Sequence, residues 1–224
     1  MAYRSKEYRK FASTAATAVL VASCVTPAAA SSFTDVGDSY KEAVEYLVGK
    51  KLVSGLTSTQ FGTSSSIKRV DAAVILAKAL NLDLKNVTDS GFTDVPERAK
   101  VYVDALKAAG IVNGKTRTTF ASDQNITRGE FALIIQKAYK LSGSKEPLAF
   151  TDVSPSYRKA VAALVSNGIT KGKTIASFGT GDSLKRGEFA VLLHKADTLK
   201  EPVVISDLAV KATVEGTASV TASV

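Results

Sequence analysis

The sequence predicts an all-α chain of three helix-turn-helix repeats, followed by a short β-like C-terminal segment. Three observations carry this reading. FTDV recurs at Phe33, Phe92 and Phe150, spaced 59 and 58 residues apart. Counting from each phenylalanine, a branched aliphatic falls at +19 (Leu52, Ile111, Ile169), glycine at +22 (Gly55, Gly114, Gly172), phenylalanine at +28 (Phe61, Phe120, Phe178) and arginine at +36 (Arg69, Arg128, Arg186). Within each copy two apolar runs keep helical spacing, whereas the residues after Leu199 alternate. Fixed spacing of this kind marks repeated supersecondary units, each too small to bury its apolar face without its neighbours.

The first helix of each repeat follows FTDV. In copy three, YRKAVAALVSNG places Ala160, Val161, Leu164 and Val165 on one face; Val44 with Leu47, and Val103 with Leu106, repeat the stripe. Gly110 and Gly168 fall where a left-handed residue stops a helix. Copy one has Lys51 there, so its stop is expected to be strained or differently built. The second helix begins at the arginine, in IKRVDAAVILAKAL, ITRGEFALIIQKAY and LKRGEFAVLLHKAD. Ile134, Ile135 and Ala138 form its buried stripe, and Thr127 with Glu130 forms a capping box. Lys68 and Lys185 replace that threonine, which shifts the expected capping to Ser66 and Ser183. Phe61, Phe120 and Phe178 read as core. The tail EPVVISDLAVKATVEGTASVTASV has a strand pattern but is too short for a stable sheet by itself.

Composition narrows the function. The 224 residues are 45% hydrophobic and 22% charged, which is not a disordered composition. One cysteine, Cys24, and one histidine, His194, leave no internal disulfide and almost no metal or imidazole chemistry, so no cofactor is expected. NGITKGKT, residues 167–174, ends like a phosphate-binding loop. Its glycines enclose three residues where that motif needs four, and it leaves a helix rather than a strand. The first thirty residues read as an export signal: Arg4, Lys6, Arg9 and Lys10, then the short apolar run FASTAATAVLVASCV, then Ala28 and Ala30 as an A-x-A cleavage site. A second reading takes VASC as a lipobox with Cys24 lipidated. Without residues 1–30 the chain stays basic; at a cell surface this balance favours anionic polymers such as wall polysaccharides, and solubility alone also accounts for a charge of this size. Nucleic acid is not expected, because of export and because the basic residues are scattered.

The order, spacing and copy number of these residues resemble the surface-layer homology (SLH) family over about Phe33 to Leu199. TRGE (127–130) is similar to the family's Thr-Arg-Ala-Glu helix start, KRGE (185–188) departs at one more place, and KRVD (68–71) keeps only the arginine and an acid. The resemblance implies a pseudo-threefold SLH trimer in a secreted protein of the bacterial cell wall or S-layer. It divides the chain into a signal peptide (1–30), repeats at 31–82, 90–141 and 148–199, and a linker opening a β-rich domain (200–224). It further implies non-catalytic anchoring to an anionic, pyruvylated secondary cell-wall polysaccharide, a peptidoglycan-associated glycan, with self-assembly into a surface lattice as a further role.

Carried over residue by residue, the resemblance makes Arg69, Arg128 and Arg186 the anion-binding groups. A guanidinium at a helix start grips a carboxylate through paired hydrogen bonds, and exposed amides there favour the same charge. The simpler role for each is pairing with a nearby acid. Completeness of the motif ranks Arg128 first and Arg69 last. Asp35, Asp94 and Asp152 are secondary ligand candidates, since an aspartate before a helix more often caps or forms a turn. Gly55, Gly114 and Gly172 let a ligand approach the backbone or serve a turn with positive φ. Tyr40 and Tyr157 stand in for absent tryptophans as sugar-stacking groups, and His194 is a packed or surface residue. The rival class is an exported wall-glycan hydrolase with Asp94 and Glu130 as acid and base.

Overall fold

The structure, a computed structural model, describes residues 33–143 and 148–199. The expected signal segment, Cys24 and the alternating tail lie outside the described residues. Within them the chain is all-α, as expected, with α1 at Asp38–Gly49, α2 at Arg69–Ala79, α3 at Glu97–Ala108, α4 at Arg128–Ala138, α5 at Pro155–Ser166 and α6 at Arg186–Thr198. No helix among the described residues is long and apolar enough to cross a membrane.

The extended stretch before each second helix is where the repeats meet. Ile67 N–H donates to Leu184 O (3.0 Å), Leu184 N–H to Ile126 O (2.9 Å), and Ile126 N–H to Ile67 O (3.1 Å). These three residues share one register position, +34, and all are buried. They close a triangle of backbone hydrogen bonds about a pseudo-threefold axis. The flanking residues add three bridges, Ser66 to Lys185, Lys68 to Asn125 and Thr127 to Ser183.

Helix packing follows the same ring. α2 packs on α3, α4 on α5, and α6 on α1, so each second helix finds its main partner in the next repeat. The paired helices run in the same sense. Tyr40 at the start of α1 lies against Gly187 at the start of α6, while Tyr46 near the end of α1 bonds to Asp197 near the end of α6. Tyr157 meets Gly129 in the same way, and Arg98 meets Asp71. The three helix-turn-helix repeats are present as expected; within each, residues 50–68 and their counterparts carry the chain from the end of the first helix to the start of the second, and the helices pair across repeats. A short turn would have forced antiparallel neighbours.

Backbone strain marks two departures between copies. Lys51 sits at φ 56°, beside φ 70° at Gly110 and 71° at Gly168, so copy one builds the same left-handed stop without glycine, which is the strain the sequence predicts. Ala121 has φ 66° where the other copies place Gly62 (82°) and Gly179 (77°).

At the far end of the axis a polar cluster joins all three repeats. Asp197 is buried and accepts from the hydroxyls of Tyr46 (2.8 Å) and Tyr139 (2.9 Å), with the Lys50 ammonium 3.5 Å away. His194 packs its ring on Tyr46 at 4.5 Å. Burial, followed by the Asp197 charge, pushes the Tyr139 phenol far above its ordinary value and keeps it a donor.

Two stability measurements check this account. Ala121→Gly removes a left-handed L-residue and is expected to raise unfolding free energy by about 1 kcal/mol in chemical denaturation. Asp197→Ala removes the buried carboxylate that accepts from two tyrosine hydroxyls, and is expected to lower it by about 2 kcal/mol.

Candidate functional site

Each arginine at a helix start reaches out of its own repeat. Arg69 Nε donates to Phe120 O (3.0 Å) and Nη2 to Asn113 O (2.8 Å); Arg186 repeats this on Phe61 O and Ser54 O, both at 3.0 Å. Arg128 Nη2 instead takes Thr170 Oγ1 (3.1 Å), and its buried Nε has no hydrogen-bond partner. Each guanidinium also lies over the +28 phenylalanine of the next repeat: Arg69 on Phe120 at 4.7 Å, Arg128 on Phe178 at 5.0 Å and Arg186 on Phe61 at 4.8 Å. Burial pushes all three below the ordinary arginine value, an effect the nearby acids oppose.

The helix-start amides are not open to a ligand, which corrects one part of the expected anion site. The first two amides of α2 donate to Gln124 O and Ser122 O, those of α4 to Asp182 O and Thr180 O, and those of α6 to Ser65 O and Thr63 O. Neighbouring-repeat carbonyls thus replace side-chain caps, and Ser66 and Ser183 do not cap their helices; both lie in the bridges around the axis. The Thr127–Glu130 capping box is present as expected.

Three grooves result, one per repeat. Groove 1, about 450 Å³, is lined by Arg186 with Lys51, Ser54, Asp71, Ile75 and Lys78. Groove 2, about 290 Å³, combines Arg69, Asn113, Lys115, Glu130, Lys137 and Tyr157. Groove 3, about 420 Å³, combines Tyr40, Arg128, Lys171, Lys173, Glu188 and Lys195. Grooves 2 and 3 each draw on all three repeats: the arginine of one, the loop and second helix of the next, and a tyrosine of the third. An arginine therefore serves its neighbour's groove, and the completeness of its own motif does not describe that groove.

One acid lies in each groove. In groove 2, Glu130 Oε2 is 3.6 Å from Arg69 and Oε1 pairs with Lys115; burial alone would raise its carboxyl, but these cations and the Thr127 amide hold it low. In groove 3, Glu188 Oε1 is 3.9 Å from Arg128 and 3.8 Å from Lys173. Lysine at +45 (Lys78, Lys137, Lys195) lines every groove. The sequence reading passed over it, although its recurrence in the three aligned runs is a usable signal.

Asp35, Asp94 and Asp152 lie away from the grooves. Each carboxylate accepts three backbone N–H bonds from the +28 to +30 loop; for Asp94 the donors are Phe120 (2.7 Å), Ala121 (2.7 Å) and Ser122 (3.0 Å). The caps of the first helices are Gly37, Pro96 and Ser154, so these aspartates cap no helix. Asp94 does not share a groove with Glu130, and the acid-base pair of a hydrolase is not assembled there. Gly55, Gly114 and Gly172 are required by packing, since a Cβ on each would fall 2.4 Å from the ring of Phe33, Phe92 or Phe150. Gly114 and Gly172 also line grooves 2 and 3.

A closed ring of three repeats with an arginine-floored groove at each junction defines a three-repeat surface module. The S-layer homology domain matches the chain at residues 32–73, 91–132 and 149–190, and the chain belongs to this family and, with it, to the proteins of the bacterial cell surface. It is 32% identical to the surface-layer 125 kDa protein of Lysinibacillus sphaericus over 84% of this chain and 17% of that protein. It is 30% identical to S-layer protein EA1 of Bacillus anthracis over 87% of this chain and 23% of that protein. An amylopullulanase of Thermoanaerobacterium thermosulfurigenes is 30% identical over 72% of this chain and 9% of its own length. The chain thus spans less than a quarter of these relatives.

Acid stability reads the three aspartate clamps. Burial alone would raise each carboxyl, but three amide donors together hold Asp35, Asp94 and Asp152 below the usual carboxylate range. Their contribution is fully present above the unfolded value of about 4 and is lost as pH falls through the folded values below it. Thermal melts from pH 6 to 2 are expected to show this loss, and Asp94→Asn is expected to shrink its amplitude.

Proposed function

We propose that the chain is a non-catalytic anchor whose three grooves bind an anionic, pyruvylated secondary cell-wall polysaccharide. The observation that carries this reading is the threefold recurrence of one constellation, a helix-start arginine on the floor, buried in grooves 2 and 3 and half-buried in groove 1, and the +45 lysine on the wall. A guanidinium already oriented by carbonyls presents its remaining N–H groups to an oxyanion with little ordering cost. A pyruvyl ketal supplies that carboxylate on a sugar ring, and Tyr40 and Tyr157 offer ring faces to groove 3 and groove 2. Relatives that include both surface-layer proteins and an amylopullulanase support a separable module carried by different proteins. A hydrolase needs two carboxylates facing across one site, whereas a single acid lines each groove and pairs with a cation. Domain limits at 31–82, 90–141 and 148–199 fit the same reading.

Co-sedimentation of the chain with purified wall sacculi tests it. Binding at near-physiological salt is expected to fall sharply when pyruvyl groups are removed and to change little when the glycan is shortened. Lys137→Gln with Lys195→Gln is expected to weaken binding about tenfold, equivalent to roughly 1.4 kcal/mol, with an unchanged melting temperature. Equal binding to native and depyruvylated sacculi would overturn the ketal assignment.

A further inference from the structure

Groove 1 differs from the other two at four positions. Its acid is Asp71, one methylene shorter than Glu130 and Glu188, and that carboxylate is engaged by Arg98 of the second repeat at 3.1 Å. Leu56 stands where Lys115 and Lys173 pair with the acids of grooves 2 and 3. At the +7 position, which supplies Tyr157 and Tyr40 to those grooves, the second repeat has Ala99; Val70 sits at the matching place on α2 where Gly129 and Gly187 make room for tyrosine. The ring wall of groove 1 is therefore aliphatic.

The charge consequence is specific. Nη1 of Arg69 and of Arg128 each has a carboxylate within 4.0 Å. Arg186 is fixed through Nε and Nη2 by two neutral carbonyls; Asp71 and Asp35 act on its charge from a distance, and among the described residues no carboxylate oxygen lies within 4.0 Å of it. It is also more exposed than the other two, which are each only 6% accessible. Lys51 and Lys78 line the same groove, and Lys51 holds a left-handed backbone that glycine occupies in the other copies. Strain of this kind persists where something else retains it.

We infer that groove 1 is a distinct class of site, an oxyanion site that binds a carboxylate or phosphate group through Arg186 with no sugar ring stacked against it. Asp71 and Arg98 set this specificity: the short acid, held by Arg98, acts on Arg186 only from beyond ion-pair distance and leaves the guanidinium free to take a ligand oxyanion. The inference rests on reading the grooves as anion sites. It assigns ring recognition to grooves 2 and 3 and charge recognition to groove 1.

Calorimetric titration of the full chain with inorganic phosphate tests it without any saccharide. One dominant phosphate site is expected. Asp71→Glu, long enough to reach Arg186, and Arg98→Ala, which frees Asp71 to turn towards it, are each expected to weaken phosphate binding about tenfold, the worth of one charge-assisted bond. Lys51→Gly is expected to raise the melting temperature while weakening phosphate, opposite signs that a purely structural lysine would not give. Tyr40→Leu and Tyr157→Leu are expected to spare phosphate and weaken a pyruvylated disaccharide. Absence of phosphate binding to the wild-type chain, or wild-type affinity in both Asp71→Glu and Arg98→Ala, would overturn the proposal. Failure of the disaccharide to bind while phosphate behaves as stated would instead sink the polysaccharide reading and leave the oxyanion site standing.

Discussion

The triangle of hydrogen bonds among Ile67, Ile126 and Leu184 is the constraint on which the other contacts depend. Each member donates to one repeat and accepts from the other, so no two repeats can satisfy it without the third. All three peptide groups are buried, where an unmade bond costs more than a made one gains. Closing the triangle fixes where each second helix starts. Two residues later in the chain comes the arginine, and from that start its guanidinium lies over the +28 phenylalanine of the adjoining repeat. Ring closure and groove formation are thus the same event viewed at two distances from the axis.

Much of this was legible in the sequence and some was not, for identifiable reasons. Period, helix starts, the Thr127–Glu130 box and the strained stop at Lys51 are local signals, and local signals survive in a single chain. The partner of Arg69 is not such a signal. In a tandem repeat every copy carries the same residues, so a contact within one repeat and a contact to the next have the same pattern of offsets. The same ambiguity hid the sense of the helices, since apolar spacing records a face and not a direction. Asp94 was read through its short-range habits as a cap, while its actual donors lie 26 to 28 residues away. Lys137 stands out less in a single copy, because a lysine in a last helical turn already has an ordinary explanation in the helix dipole.

The coupled exchange at Val70 and Ala99 shows how a repeat drifts under closure. Tyrosine against glycine in two junctions, and alanine with valine in the third, keep each helix pair in register while changing what the junction exposes. Substitution at one position alone would leave a void or an overlap. The ring therefore tolerates divergence between its grooves more readily than divergence within one of its seams.

The common sense of the paired helices carries an electrical consequence. In an up-and-down bundle neighbouring peptide dipoles oppose one another and largely cancel. Here they align, each helix contributing about half a positive charge at its start, and the carbonyl caps offset only part of it. Each helix pair is consequently polar along its own length, with its two positive ends side by side at the end where an arginine emerges.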